Sequence, residues 1–262
     1  MDLLLLSFAG VTAKEYLILK NGEAITPNLE KKLALYKNLS RQEILALLER
    51  KNVGFITYQH EFYPSLLKEI YDFPYLLYYR GKLELLKTDM LGVVGSRKAS
   101  LYSEKALQTI FPDLNKITII SGLAYGADEF AHKTAMEVGL ATIGVLAFGH
   151  DTHYPKSTFK VRNDLEKSQL TISEYPPHTQ LSKWRFIARN RIIAGASRGV
   201  LVTEAEAKSG SLVTLDMALD ENRNGYCLPG NITSSLSTGT NSRLKEGATL
   251  VTSASEIMQD YI

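Results

Sequence analysis

Three stretches of the 262-residue chain carry side chains whose types and spacing suit the binding of a polyanion. In the first, Met90 to Lys98, an apolar run ends in Gly95-Ser96-Arg97. A buried strand that runs into such a turn and then into a helix, expected from about Tyr102 to Leu114, points backbone N–H groups at an anion. Glycine lets the anion approach, and Arg97 adds a fixed charge. In the second, Ser121-Gly122 opens Ser-Gly-Leu-Ala-Tyr-Gly-Ala-Asp128, another glycine-spaced turn ahead of a helix. Either turn alone is equally consistent with a tight turn beside a surface side chain. Side by side they suggest a polyanion or a dinucleotide. A dinucleotide site needs Gly-x-Gly-x-x-Gly and an acidic residue closing the next strand. Neither turn supplies three glycines, so no nucleotide cofactor is expected.

The third stretch is the most asymmetric in charge. Between Tyr175 and Thr203 there is no acidic residue, while Lys183, Arg185, Arg189, Arg191 and Arg198 are present with Trp184 and Phe186 among them. Basic side chains interleaved with aromatics on a helix are the footprint of single-stranded nucleic acid. Arg185 and Arg189 lie one turn apart on one face and Arg191 on another. The alternative is a solvated basic face, or arginines that hold carboxylates at the sheet edge, with Glu204 and Glu206 as nearby partners. Lys156, at the end of the Gly149-His-Asp-Thr-His-Tyr-Pro loop, is placed beside the anion site. Two histidines and Asp151 in that loop, or Asp128 with His132, do not meet a known metal spacing, and no metal is expected. Ser209-Gly-Ser-Leu-Val-Thr214 opens a helix, as a cap or as hydroxyl donors to phosphate. Pro229 to Leu244 has seven hydroxyl side chains and no acid, and reads as a rim of the same groove or as a plain surface loop. No Walker A, Gly-x-Ser-x-Gly or His-Glu-x-x-His sequence is present, and no carboxylate pair falls on one site, so no enzymatic activity is expected.

These residues need a scaffold that gathers turns on one edge. From Leu91 onward, short apolar runs alternate with amphipathic helical segments, with strands expected at 91–94, 118–120, 141–147, 170–173, 199–203 and 226–228. The pattern predicts an α/β fold, a Rossmann-like, mostly parallel sheet covered by helices on both faces, with ligands at the carboxyl ends of the strands. Residues 54–86 lead into it through a strand near Tyr75–Tyr79, and the eight aromatics from Tyr58 to Tyr79 either pack in the core or stack on bases. Before them, residues 1–53 read as a small helical module, one helix of which opens on a capping box at Ser40 and Glu43. The expected division is therefore 1–53 and 54–262. With 30 basic and 28 acidic side chains, any nucleic-acid surface must come from local segregation of charge. The four leucines at positions 3 to 6 are too short a run for a secretory core or a membrane span, and the expected location is the cytoplasm. A single cysteine, Cys227, excludes an internal disulfide and reads as a buried strand residue.

With these motifs in place, the chain from about Gly54 to Ile262 resembles the DNA processing protein A (DprA/Smf) family. The resemblance rests on Tyr63-Pro64, Val94-Gly-Ser-Arg97, Ser121-Gly-Leu-Ala-x-Gly-x-Asp128 with Ala131-His132, Tyr154-Pro155, Glu174-Tyr-Pro-Pro177, Arg189-Asn-Arg-Ile-Ile-Ala-Gly195, Glu204-Ala205, Ser209-Gly-Ser-Leu212, Pro229-Gly230, Gly239-x-Asn241 and Gly247-Ala248, in that order. It implies an extended Rossmann domain that binds and protects single-stranded DNA in a basic groove, works as a homodimer, and loads the recombinase RecA during natural transformation. The positions it carries over are Gly95, Ser96, Arg97, Ser121, Gly122, Lys156, Arg189, Asn190 and Arg191; Arg185 joins them from the basic stretch itself. The first helices look similar to the sterile-alpha-motif-like domain of some members. Departures include Ile187 where proline is usual, Ala127 for isoleucine, His178 for glycine, Thr158 for asparagine, and Arg243 for an apolar residue.

Overall fold

In a computed structural model, which describes residues 1–261, nine strands form one sheet in the order β1-β2-β6-β5-β4-β3-β7-β8-β9. The strands are β1 (Gly54–Thr57), β2 (Leu76–Gly81), β3 (Asp89–Val94), β4 (Ile117–Ser121), β5 (Thr142–Val145), β6 (Leu170–Ser173), β7 (Gly199–Val202), β8 (Asn224–Cys227) and β9 (Thr249–Leu250). From β6 across to β9 all pairings are parallel. The first two strands run antiparallel, β1 to β2 and β2 to β6. The sheet is thus mostly parallel, as expected, with β2 running against both of its neighbours at this edge. A short connection through α5 (Ser65–Glu69), without a full crossover, returns β2 beside β1 as its antiparallel partner.

Helices α6 (Leu101–Ile110), α7 (Ala127–Glu137) and α8 (Phe159–Ser168) follow β3, β4 and β5, and cover one face. There Leu107, Ile110, Ala131 and Ala135 pack on Leu91, Val93 and Ile119. The opposite face takes α9 (Lys183–Ala196) and α10 (Gly210–Asp220), which pack against each other and bury Ile192, Ile193, Leu212 and Leu215 over Val94, Ile120 and Val200. The strand that follows β3 moves outward in one direction and the strand that follows β7 in the other, although β3 and β7 are neighbours. That reversal opens a crevice beyond their carboxyl ends, the place where open parallel sheets bind ligands. The chain closes with α11 (Thr238–Lys245) and α12 (Ser255–Met258).

The first residues form α1 (Leu3–Phe8), α2 (Ala13–Asn21), α3 (Pro27–Lys37) and α4 (Arg41–Arg50). The leucine run at positions 3 to 6 lies in helix α1, capped by the Asp2 carboxylate at 2.9 Å from the Leu4 N–H. A reciprocal capping box starts α2 at Thr12 and Glu15. Leu4, Leu6, Leu29, Ile44 and Leu48 are buried in the same apolar cluster as Ile56, Leu77 and Tyr78 of β1 and β2. Buried phenols fasten the two parts: Tyr78 donates to Ser7 Oγ at 2.8 Å and Tyr75 to the Val11 carbonyl at 2.7 Å. Of the aromatics of residues 54–86, Tyr63, Phe73, Tyr75 and Tyr78 are buried and Phe55, Tyr58 and Tyr79 pack partly buried against the same cluster, so most serve the core.

Candidate nucleic-acid interface

The crevice is a cleft of about 380 Å³ beyond β3 and β7, floored by the Gly95–Lys98 turn and walled by the starts of α7 and α10 and one side of α9. The two glycine-spaced turns meet there. Ala127 N–H donates to the Ser96 carbonyl at 3.2 Å, and Ser96 N–H donates to the Glu204 carbonyl at 2.7 Å. Gly126 takes the left-handed region at φ 72°, and a Cβ there would meet the Ser96 oxygen at 2.5 Å. Close stacking of one turn on the other therefore demands glycine at 126.

Of the expected contact residues, Gly95, Ser96, Arg97, Arg189 and Asn190 line the cleft. Arg97 is exposed, and its guanidinium lies 5.7 Å from the centre of the Phe186 ring. Tyr154 packs edge-on against the same ring, centroids 5.7 Å apart. Phe186 thus joins Arg97 to the Tyr-Pro loop that carries exposed Lys156. Arg185 lies outside the cleft wall, against Tyr175 and Trp184 at 5.0 and 5.2 Å, and donates to the Gln180 carbonyl.

Several of these side chains are committed to the protein itself. Ser121 is fully buried and donates to the Val93 carbonyl at 2.6 Å, tying β4 to β3. Arg189, 5% exposed, donates to the carbonyls of Gly122 and Val145 at 2.5 and 2.6 Å, clamping the ends of β4 and β5. Burial lowers its pKa, while the nearby Asp128 charge acts the other way. Gly122 is glycine because the Arg189 guanidinium lies where a Cβ would be. Arg191 turns to the opposite side of α9, where Glu174 and Asp72 hold it at 2.5 and 3.2 Å. Arg198 immediately precedes β7 at the far end of the sheet and pairs with Asp89 at 2.7 Å. The acid-free stretch therefore does not form one continuous basic wall: Arg185, Arg189 and Arg191 on α9 face three different sets of partners, and Arg198 lies beyond the helix at the other end of the sheet.

The carboxylates also differ from expectation. Glu204 binds none of the arginines. It accepts from the Ser100 N–H at 2.7 Å, the Ser100 hydroxyl at 2.9 Å and the Ser103 hydroxyl at 2.8 Å, so an internal carboxylate fills the anion position at the start of α6. The free helix start in the cleft is that of α10, where Ser209 caps, and Gly210 and Ser211 line the opening. Asp128, 6% exposed, lines the cleft, with burial raising its pKa against the pull of Arg189. Lys98 and Glu206, which the motifs did not single out for the cleft, also line it. A charged residue just after a strand end was the available signal for both.

Two of the histidines, His132 and His150, serve the core. His132 bonds Thr142 Oγ1 at 2.7 Å and burial pushes its pKa down to about 3. His150 is buried against Thr171 at 3.2 Å. Among the described residues no three His, Cys, Asp or Glu side chains come together. Cys227 is buried, which pushes its thiol up to about 12. The hydroxyl-rich loop is fastened at both ends: Asn241 brackets the Gly230 backbone at 3.1 and 2.9 Å, and Ala205 N–H donates to the Leu236 carbonyl at 2.7 Å. No helix of the described residues is long and apolar enough to cross a membrane.

Residues 54–262 match the DNA recombination-mediator protein A family. The DNA processing protein DprA of Streptococcus pneumoniae is 44% identical over 200 residues, 76% of this chain and 71% of that protein. DprA of Bacillus subtilis is 33% identical over 228 residues, 86% of this chain and 76% of its relative. The solved structure of S. pneumoniae DprA superimposes with a TM-score of 0.89 at 35% identity, covering 99% of this chain and 98% of that one. DNA processing protein A from Helicobacter pylori superimposes with a TM-score of 0.71 at 28% identity, covering 79% and 94%. The chain therefore belongs to the DprA/Smf family of DNA recombination mediators.

Proposed function

We propose that the chain binds single-stranded DNA along the carboxyl edge of its sheet, protects it, and as a homodimer loads RecA onto it during natural transformation, in the cytoplasm, by binding rather than catalysis. The observation that carries this reading is the exposed Arg97 guanidinium seated on Phe186 at the mouth of a cleft built from two stacked glycine turns and the start of α10. A fixed cation on an aromatic shelf serves a phosphate and a base at once. The H. pylori relative, which shares the fold, has a single-stranded DNA binding mode of its own. Asp128 and Glu206 in the lining make the cleft less uniformly basic than a pure phosphate track, which suits a strand whose bases as well as phosphates enter.

Arg97→Ala tests the reading. Arg97 makes no buried bond, so its removal is expected to leave the melting temperature unchanged and to weaken oligonucleotide binding, lowering the salt slope by about 0.7, the value of one single-strand phosphate contact. Unchanged affinity and slope would remove Arg97 from the DNA path. RecA filament formation on strands pre-bound by the protein, compared with naked strands, tests the loading step; no acceleration would limit the role to binding.

A further inference from the structure

Beyond the cleft, a second basic tract runs down the outside of the molecule. Lys156, Lys160 and Lys167 are exposed, with Asn163 between them. Spacings of three and four residues put Lys160, Asn163 and Lys167 on one face of α8, and Lys156 lies in the short 3-10 turn that leads into that helix. The tract ends in an open groove of about 370 Å³ between α8 and the turn after α4, lined by Lys51, Asn52, Arg80, Asn163, Glu166 and Lys167.

Local ion pairs account for the neighbouring acids. Glu166 is held by Arg80 at 3.1 Å and by Arg162 at 2.7 Å, and Asp151 by Lys51 at 2.7 Å. The three lysines have no carboxylate partner among the described residues. Asp164, four residues after Lys160 and three before Lys167, shares their face but forms an ion pair with neither. Arg80 still has one buried guanidinium nitrogen, Nε, without a partner. At 1.5 Å per residue, the rise along α8 from Lys160 to Lys167 is about 10 Å, room for about three phosphates at the ~3.4 Å axial spacing of stacked nucleotides.

We infer that this tract is an extension of the nucleic-acid path, on which a single strand leaving the cleft past Lys156 continues along α8 to the groove at Arg80. The inference rests on the proposed DNA-binding role of the cleft and names a second contact zone for the same strand. The continuity is physical: Tyr154 packs on Phe186 beneath Arg97, and Lys156 lies two residues further on at the head of α8. A positive, unpaired stripe that begins at a phosphate site and ends in a polar groove is complementary to a flexible polyanion.

The test uses the full chain, with Lys160→Gln and Lys167→Gln combined, and oligothymidylates of about 6 and about 20 nucleotides, within and beyond one binding site. For the long strand the double variant is expected to bind several-fold more weakly, with the salt slope lower by about 1.4, the value of two single-strand contacts. The short strand, confined to the cleft, is expected to bind as before. Arg97→Ala, run in parallel, is expected to weaken both lengths. If Arg97→Ala weakens both while the double variant changes neither, the tract is overturned and the cleft stands. If the double variant affects both lengths equally, the lysines act on the cleft and the extension is overturned. If Arg97→Ala changes nothing, the cleft reading fails, and with it a path that starts there. Both lysines are exposed, so an unchanged melting temperature is the control for folding.

Discussion

The Arg189 guanidinium occupies the space over Gly122 where any other residue would carry its Cβ, and from there reaches the carbonyls of Gly122 and Val145 at 2.5 and 2.6 Å. An arginine inside an arginine-rich helix thus holds two strand ends together. It shapes the cleft chiefly by fixing the turn that follows β4.

Gly122→Ala is expected to displace that guanidinium. Overpacking in a filled interior costs about 1–3 kcal/mol, which for a chain of this size corresponds to a fall in melting temperature of roughly 2–4 °C per kcal/mol. Thermal unfolding measures it directly. Arg189→Ala leaves two buried carbonyls without their donor and is expected to cost at least as much. A variant that melts like the parent would show that the clamp contributes nothing.

Arg191 makes a contrasting prediction. Its guanidinium joins α9 to Glu174 and Asp72 in a largely buried site, and the Glu174 carboxylate raises its pKa despite burial. Removing one partner of such a pair strands the other and costs about 3–5 kcal/mol. Arg191→Ala is therefore expected to lower stability strongly. At temperatures where the variant is folded, its salt slope of DNA binding is expected to match the parent's. A slope reduced as in Arg97→Ala would instead put Arg191 on the DNA path.

His132 predicts a pH dependence. Burial and the charge of Arg189 hold its pKa at about 3, below the ordinary value near 6.5. Between those values the unfolded chain binds a proton that the folded chain refuses, so stability rises with pH across the window and is lost as pH falls below about 6.5. Buried His150 shifts in the same direction and adds to the loss. Asp128, raised by burial, acts oppositely near its own titration. At pH 5 the His132 contribution alone is on the order of 2 kcal/mol. His132→Gln, which keeps an amide near Thr142, is expected to shrink the difference in melting temperature between pH 7 and pH 5. An undiminished difference would assign the acid sensitivity elsewhere.

Much of this was legible in the chain. Apolar runs such as Ile117–Ser121 and Gly199–Val202 are buried on both faces and carry a direct strand signal. The turns that follow them necessarily share an edge, so Gly95–Arg97 and Ser121–Asp128 were recognisable as neighbours. Less legible was which polar side chain serves which partner. Arg185, Arg189 and Arg191 differ by a few positions on one helix, yet the first stacks on aromatics, the second is enclosed and the third pairs with Glu174. Their fates depend on what the sheet and the Glu174–Pro177 segment place opposite each, which no local pattern contains. The antiparallel edge was hidden for a similar reason: β1 is a four-residue run, and its pairing with β2 depends on a tertiary return.

Glu204 provides the last prediction, because it occupies the position at the start of α6 that the glycine-serine-arginine turn reserves for an anion. Its carboxylate takes the Ser100 N–H and two hydroxyls while its own backbone carbonyl holds Ser96, so one residue fixes both the helix start and the turn that presents Arg97. Glu204→Ala removes three acceptor contacts in a buried site, where unsatisfied donors cost about 1–3 kcal/mol. It is expected to lower the melting temperature and also to weaken DNA binding, since Arg97 loses its support. Glu204→Gln keeps an acceptor for Ser100 and loses the charge at a helix start, worth about 0.3–1 kcal/mol, so it is expected to retain most of both properties. The comparison separates the two roles of the residue. Binding that survives Glu204→Ala at full strength would mean that the turn holds its shape without the carboxylate, and that the strand contacts depend on Arg97 and the α10 start alone.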